Sequence, residues 1–147
     1  YHLYTVKENN LWGVYDSYFD KYLIKPVYKE IHQLSKIQYL LTSSDKKIIR
    51  NIKFKTNTDV SKYNFNDYYL SNATYLKTKQ DNKYGLININ TGKLIVPTKY
   101  DRVRVYNNFI SGYNEQNKKY TAFSSNGKIT VKDFNNSKNL TTKLYNH

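Results

Sequence analysis

The feature that most constrains the fold of this chain is an internal repeat with a period of 36 residues. Aligned with itself without gaps, the sequence divides into four units that cover 144 of its 147 residues. A repeat of this length predicts an array of similar structural units that bury their apolar surfaces against one another. The expected units are residues 1–36, 37–72, 73–108 and 109–144, and together they form a single β-repeat domain over residues 1–147.

Aromatic residues, glycines and prolines mark the columns of the repeat. One column holds Trp12, Ile48, Tyr84 and Tyr120, each 36 residues after the one before. The features shared by the first and third units are Gly13 with Gly85, Tyr28 with Tyr100, and Pro26 with Pro97 one position out of phase. The third unit is the best-preserved copy. The residues expected to have structural roles are Trp12, Gly13, Tyr84, Gly85, Pro97 and Tyr100.

Each unit is predicted to be an antiparallel meander of three short strands. In the third unit the strands are expected at TYLKT, KYGLINI and LIV, with turns at KQDN and NTGK. Gly92 suits the left-handed position of a hairpin loop. Pro97 is expected to end the third strand because it has no N–H to donate. In the fourth unit, Asn126 and Gly127 predict another hairpin.

The fold class that follows is all-β, with four meander units in a compact repeat array. The chain is rich in Tyr, Ile, Val, Thr and Phe, which favour strands. Apolar residues are predicted on both faces of the central strand of the third unit, so neighbouring units must cover both faces. An open stack and a closed ring both meet this requirement. Any helix is expected to be a brief turn near residues 28–36.

Two segments of the chain carry a family resemblance. KYGLININTGKLIVPTKYDRV and LWGVYDSYFDKYLIKPVYKEI resemble the WG repeat of bacterial proteins. That repeat has an aromatic residue before Gly, a hydrophobic hairpin with a Gly-Lys turn, and Pro shortly before Tyr-Asp. The second and fourth units depart from it, with Ile49 and Thr121 in place of the Gly. The resemblance implies β-rich repeat modules, often in surface or exported bacterial proteins, with no shared catalytic residues.

The charge of the chain is compatible with an anionic partner or surface, although a solvated basic surface is the interpretation that we favour. Its formal net charge is +13, from 24 Lys and Arg against 11 Asp and Glu, and only three of the acids are glutamates. Such a surface needs no specific partner, and the shortage of glutamates is the observation that points to one. The chain has no cysteine, which excludes the disulfide-stapled secreted class. No run of about 18 apolar residues occurs, so no membrane span is predicted.

Two sets of residues are candidates for binding. Lys47, Lys83 and Lys119 recur 36 residues apart and would form a basic ridge if the units stack regularly. Lysines also protect exposed strand edges from pairing, and that alternative stays open. Tyr68 and Tyr69, in a tyrosine-rich segment, are the pair expected to be exposed. The alternative for the tyrosines of this segment is packing between units.

Catalysis has little support in the sequence. The three histidines are His2, His32 and His147, and no Ser or Asp is placed by a nucleophile motif. Without cysteines and with scattered histidines, no metal-ligand spacing occurs. The glycines stand alone, so no phosphate loop is present. We therefore expect a protein that is not an enzyme and has no cofactor and no metal.

The function expected from these observations is that of a non-catalytic interaction module in a bacterial envelope or exported protein. Its partner would be another protein or an anionic surface polymer. A specialised form of this hypothesis is an immunity protein that neutralises a toxin. The alternative is a nucleic-acid-binding protein that uses the lysine ridge. A cytoplasmic location is the alternative to the envelope or to secretion. Since the chain starts at Tyr1 and has no Met, it is expected to be a processed product or part of a longer protein.

Overall fold

The computed structural model describes residues 2–135, and every regular element in that range is a β-strand. The first sheet consists of β1 (Leu3–Glu8), β2 (Leu11–Asp16) and β3 (Lys21–Tyr28), and the second of β4 (Glu30–Gln33), β5 (Gln38–Thr42), β6 (Lys47–Asn51) and β7 (Thr56–Asp59). The third consists of β8 (Asp67–Leu70), β9 (Tyr75–Gln80), β10 (Lys83–Asn88) and β11 (Leu94–Tyr100), and the fourth of β12 (Arg102–Val105), β13 (Ile110–Asn114), β14 (Lys119–Phe123) and β15 (Ile129–Phe134). Within each sheet, strands that follow one another in the chain pair antiparallel.

The prediction of an all-β chain made of four antiparallel meanders is confirmed. The first sheet has the expected three strands, and each of the other three sheets has a fourth. The additional strands are β4, β8 and β12, which lie at the end of one 36-residue unit and pair with the first strand of the next. Each of these sheets therefore begins several residues before the predicted unit boundary. Strand β4 also occupies the stretch where a brief helical turn was expected.

The described residues divide into two compact units, one ending at Tyr63 and the other beginning at Asn64. The first unit contains β1 to β7, and the second contains β8 to β15. In the first, Val14 and Ile24 pack with Tyr39 and Leu41 of the neighbouring sheet. The core of the second unit also joins its two sheets, through Leu86, Ile95, Val96, Val103 and Phe123, each at most 2% exposed.

Burial on both faces of the central strands is confirmed as well. Leu86 and Ile87 are adjacent in β10 and point to opposite faces of the third sheet, yet both are fully buried.

Type I′ hairpin turns connect β1 to β2 in the first sheet and β9 to β10 in the third sheet. Both central turn residues have positive φ, at Asn9 and Asn10 and at Asp81 and Asn82. Equivalent columns of the repeat therefore form equivalent turns.

The loop predictions based on glycine are also confirmed. Gly92 has a φ of 74° in the turn between β10 and β11, and Gly127 has a φ of 90° between β14 and β15. These conformations are in the left-handed region that glycine adopts at no steric cost.

A bulge follows the aromatic–Gly pair of the third sheet. Tyr84 pairs with Tyr100 and Leu86 pairs with Val96, so the single residue Gly85 faces residues 97–99 of β11. The extra residues on β11 bend this strand toward its neighbour.

The first sheet repeats this geometry. Trp12 pairs with Tyr28 and Val14 pairs with Ile24, which leaves Gly13 opposite residues 25–27 of β3. The spacing of aromatic residue, glycine and tyrosine that the two units share therefore corresponds to one local structure. In it, the glycine faces a three-residue bulge, and an aromatic pair restores the pairing of the two strands beside the bulge.

Proline lies inside the bulge in both sheets. The expectation that Pro97 ends its strand is wrong, because β11 continues to Tyr100. Pro97 is tolerated there since β11 is an edge strand and the bulge interrupts the ladder at that point. Pro26 has the same situation within β3, and the two positions differ by one residue inside bulges of equal length.

The bulge brings the backbone of the next strand against the glycine. A Cβ added to Gly85 would lie 2.5 Å from Thr98 Oγ1 and 2.8 Å from the carbonyl oxygen of Val96. At Gly13 an added Cβ would lie 2.5 Å from the carbonyl oxygen of Ile24. Both distances are shorter than a van der Waals contact, so only glycine leaves room for the bulge.

The second sheet shows what happens when the glycine is absent. Ile49 occupies the glycine column there, and β6 pairs with β7 through Ile48 to Asp59 and Ile49 to Thr58 without a register shift. In the fourth sheet Thr121 occupies the column, and it faces only residues 132–133. The sequence departures from the repeat thus coincide with departures from the three-residue bulge.

Tyr100 links the bulge of the third sheet to the fourth sheet. Its ring lies over Gly112 of β13, where an added Cβ would be 2.8 Å from the ring. The same ring packs edge-on against Phe123, with centroids 5.7 Å apart. Gly112 pairs with Val103 of β12. The contact between the Tyr100 ring and Gly112 therefore helps to set the position of β12.

We expect Gly85→Val to destabilise the protein by about 2–4 kcal/mol, because the branched side chain has to displace the backbone at Val96 and Thr98. Gly13→Val should have a similar effect. Thermal or urea-induced unfolding followed by circular dichroism measures both.

Ile49→Val is the matched control, since it places the same side chain in the same repeat column of a regular ladder. It removes one methylene group and should cost only about 1 kcal/mol. If Gly85→Val unfolds at the same temperature as the parent, the close approach at the bulge is not what the glycine is needed for.

Candidate functional site

The three lysines of the repeat column occupy equivalent positions in their sheets. Lys47, Lys83 and Lys119 are the first residues of β6, β10 and β14, which are the third strands of their sheets. Two of the three side chains have partners within the second unit. The Lys83 Nζ donates to Asp101 Oδ1 at 2.6 Å, and the Lys119 Nζ donates to Asn135 Oδ1. In the first unit, the backbone N–H of Lys47 donates to Ser61 Oγ at 2.9 Å.

The two candidate tyrosines point to opposite faces of β8. Tyr68 is half-buried, and its ring packs edge-on against Phe65 with centroids 5.6 Å apart. Tyr69 is 52% exposed. The expectation of an exposed Tyr68–Tyr69 pair is therefore met by Tyr69 only, because neighbouring residues of a strand alternate between its faces.

Tyr69 is part of a groove in the second unit, and Tyr84 lines the same groove. The groove has a volume of about 260 Å³, and we call it the β12 groove. The residues that line it are Tyr69, Lys77, Tyr84, Asp101, Arg102, Val103 and Arg104. It thus brings together one candidate binding residue and one residue singled out as structural, and Lys83 reaches its edge through Asp101.

The floor and rim of the β12 groove are set by the alternation of strand β12. Val103 is buried in the core of the second unit, whereas Arg102 and Arg104 on either side of it are exposed. Alternate residues of a strand share a face, so both guanidinium groups project from the same side of β12. The chain has three arginines, and two of them are here.

A ladder of aromatic rings supports Arg102 across the fourth sheet. Arg102 pairs with Tyr113 of β13, and its guanidinium lies 4.2 Å from the centroid of the tyrosine ring. Tyr113 pairs in turn with Tyr120 of β14, with ring centroids 4.7 Å apart. Burial, followed by a hydrogen bond with Glu115, raises the pKa of the Tyr113 hydroxyl. The stacking holds the arginine in one orientation and leaves its N–H donors available.

The same arginines line a second, smaller cavity on the fourth sheet. Its volume is about 80 Å³, and the residues that line it are Arg102, Arg104, Tyr106, Tyr113 and Tyr120. Strand β12 therefore forms a cationic ridge between two concave surfaces, with tyrosine rings on both sides.

Lysine side chains lie over the tyrosine rings of the third sheet. The Lys77 Nζ is 5.4 Å from the centroid of Tyr69, its cross-strand neighbour. The Lys79 Nζ is 5.5 Å from the centroid of Tyr84, which it faces across β9 and β10. Such contacts let long cationic side chains cover aromatic surface while their charged ends stay in water.

The acid of the groove, Asp101, is hydrogen-bonded to groups other than the two arginines. Asp101 accepts hydrogen bonds from Lys83 and from the backbone N–H of Glu115 at 2.7 Å, and these bonds lower the pKa of its carboxyl group, Lys83 being the larger cause. Within residues 2–135, neither Arg102 nor Arg104 forms an ion pair. The groove therefore has two guanidinium groups and one ammonium group for an anionic partner.

The histidines are not grouped for chemistry in the part of the chain that the structure describes. His2 lies 3.7 Å from Asp16, and His32 lies 3.7 Å from Glu30. His147 lies outside the described residues. Among residues 2–135, no group of three or more His, Cys, Asp and Glu side chains is placed to hold a metal ion.

Sequence reasoning missed the residues that define the groove. Arg102, Arg104 and Lys77 were not singled out, and Tyr113 was not either. The composition held one usable indication, since two of three arginines in a lysine-rich chain occur as Arg-Val-Arg. Alternation around a buried valine predicts that both arginines share an exposed face. Their proximity to Tyr69 and Tyr84 depends on the packing of two sheets and could not be predicted.

No family model matches the sequence, and no curated protein does either. Solved structures with a partly similar backbone include Hsv2 of Kluyveromyces lactis with loop 6CD replaced by a Gly-Ser linker. The match has 18% sequence identity, covers 86% of this chain and has a TM-score of 0.43. Another is Hsv2 of Kluyveromyces marxianus, at 11% identity over 92% of this chain with a TM-score of 0.42. This chain spans 46% of the length of each. Within residues 2–135, no helix is long and apolar enough to cross a membrane.

We expect the stabilising effect of the Lys83–Asp101 pair to depend on pH. The folded-state pKa of Asp101 lies below its ordinary value of about 3.9, so the contribution is present above that value and is lost as the pH falls through the folded-state pKa. Asp101→Asn should therefore lower the melting temperature at neutral pH, and the difference from the parent should shrink toward pH 3 and below.

Asp45→Asn is the control, because Asp45 is exposed and has no partner among the described residues. Its melting temperature should follow that of the parent at every pH. A difference between Asp101→Asn and the parent that stays constant from neutral to acidic pH would contradict the role assigned to the pair.

Proposed function

We propose that this chain is a non-catalytic binding module of a bacterial envelope or exported protein, and that it holds an anionic partner at the β12 groove. The observation that carries the proposal is the position of Arg102 and Arg104, exposed on one face of an edge strand and flanked by Tyr69 and Tyr113. Arginine forms paired hydrogen bonds with carboxylates, and exposed tyrosine rings add contact area.

The charge of the whole chain supports the same partner. A net charge of +13 attracts anions over long distances and raises the rate of encounter, while the groove supplies the local geometry. Tyr and Arg are also the residue types that contribute most to protein interfaces. An acidic surface on another protein is therefore the partner that we favour over a surface polymer.

Assignment to the WG-repeat family is part of this proposal. Its support is the recurrence of one device, the aromatic–Gly pair with its bulge and closing tyrosine, in the first and third sheets. The envelope location depends on that resemblance. In the immunity-protein form of the proposal, the groove would cover an acidic site of a toxin. A toxin gene beside the gene of this chain would favour that form, whereas further repeats in a longer parent chain would favour a scaffold.

Nucleic-acid binding is the second candidate. The exposed ring of Tyr69 beside Arg102 is a combination on which single-stranded bases stack, and it favours the β12 groove over the lysine column as the site. Lys83 and Lys119 are engaged by Asp101 and Asn135, which leaves them less available for phosphates. Affinity for single-stranded DNA or RNA should then fall steeply between about 50 and 200 mM salt.

We expect the double substitution Arg102→Glu and Arg104→Glu to weaken binding of poly-glutamate, a model acidic polypeptide, by about tenfold or more, because it replaces the two groove cations with repelling charges. Calorimetric titration gives the dissociation constants. Polygalacturonate and single-stranded DNA, titrated in parallel, show which class of anion the groove prefers.

The matched control is Lys93→Glu with Lys128→Glu. Both lysines are exposed and lie outside the groove, and the change in net charge is the same. This variant should weaken binding by less than about threefold, since exposed charges away from a contact act weakly. Equal losses in the two variants would show that binding follows net charge, and the groove would then not be the site.

A further inference from the structure

Another concave surface of the second unit has a different character from the β12 groove. Its volume is about 340 Å³, within the usual range for small-molecule sites, and we call it the asparagine pocket. It lies where the β8–β9, β12–β13 and β14–β15 loops meet. The residues that line it include Asn72, Tyr75, Tyr106, Asn107, Asn108 and Ser125.

The pocket has no formal charge on any residue that lines it. This is unusual for a chain in which 24% of the residues are charged and the net charge is +13. An anionic ligand would find no ion-pair partner here, whereas it would find two arginines in the β12 groove. The absence of charge therefore selects for a neutral ligand.

The polar groups of the pocket are amides and hydroxyls, and several of the amide groups have no partner among the described residues. Asn72 Oδ1 accepts the backbone N–H groups of Thr74 at 2.8 Å and Tyr75 at 3.0 Å, which fixes its side chain and leaves its amide N–H groups as donors. Asn107 and Asn108 are exposed, and neither side chain bonds to a described residue. An amide offers a donor and an acceptor together, as the vicinal hydroxyl groups of a sugar require.

An aromatic ring is fixed beside these amides. Tyr106 is half-buried, and its ring stacks on that of Phe109 with centroids 4.6 Å apart and planes at 17°. Phe109 is itself buried at the edge of the core. A rigid aromatic wall next to amide groups provides an apolar surface for the C–H face of a pyranose ring and polar partners for its hydroxyls.

We propose that the asparagine pocket is a binding site for a neutral saccharide, distinct from the anionic partner of the β12 groove. Its volume, its lack of charge, its free amides and its aromatic wall together fit an uncharged, polyhydroxylated ring. Because no ion pair takes part, binding there is independent of salt concentration.

The test is titration of the 147-residue chain with three neutral probes, maltotriose, cellotriose and triacetylchitotriose, and with trigalacturonic acid as the anionic probe. Nuclear magnetic resonance shifts or calorimetry at millimolar ligand detect weak binding. We expect at least one neutral probe to bind, with the same affinity at low and at physiological salt, and more tightly than the anionic probe.

The double substitution Asn107→Ala and Asn108→Ala should weaken that binding by about tenfold, each lost hydrogen bond accounting for roughly a factor of two to ten. Alanine fits both positions, because neither residue has a positive φ and neither side chain supports the fold. The matched control, Asn64→Ala with Gln116→Ala, removes two exposed amides outside the pocket and should bind as the parent does.

Three outcomes would overturn the proposal: no neutral probe binds, the anionic probe binds more tightly, or the pocket and control variants lose affinity equally. The charge-reversed variant at Arg102 and Arg104 separates this site from the proposed function. It should lose poly-glutamate binding and keep saccharide binding, so failure at one site leaves the result at the other unaffected.

Discussion

The close approach between a central strand and its bulged neighbour is the constraint on which the rest of the structure depends. At Gly85 and at Gly13, the backbone of the next strand lies where any side chain would be. Because of this approach, three residues of the edge strand face the single glycine of the central strand. The two strands then pair again at an aromatic pair, which is Tyr84 with Tyr100 in the third sheet and Trp12 with Tyr28 in the first. A regular ladder, as at Ile49, needs neither the glycine nor the aromatic pair.

This constraint extends to the candidate site through a short series of contacts. The bulge returns β11 to register at Tyr100, whose ring is seated on Gly112 and against Phe123. Gly112 pairs with Val103, and Val103 anchors β12 in the core. The exposed arginines on either side of Val103 therefore have their positions set by packing on the opposite face of the strand. A rigid core beneath an exposed cationic strand is how a small β-protein holds a binding surface in one shape.

Two of the concave surfaces of the second unit, the β12 groove and the asparagine pocket, differ in electrostatic character. The β12 groove has two guanidinium groups that form no ion pair within residues 2–135, and its one acid, Asp101, bonds to Lys83 and to a backbone N–H. The asparagine pocket has amides, hydroxyls and an aromatic wall but no charge. Tyr106 lines both the pocket and the smaller cavity beside Arg104. Strand β12 thus lines the β12 groove, and its last residue and the loop after it line the asparagine pocket.

The sequence by itself determined the repeat, the all-β class, the four meanders and their turns, because these depend on local periodicity and on residues such as Gly92 whose φ is dictated by the turn. It also placed Lys47, Lys83 and Lys119 in one structural column. Only the tertiary structure decided that Pro97 lies within a strand, that β4, β8 and β12 join the following sheet, and that Tyr68 and Tyr69 separate. It alone also brought Arg102 and Arg104 beside Tyr69 and Tyr84. Such proximity depends on how two sheets pack, and the periodicity of a sequence does not specify the distance between residues on different sheets.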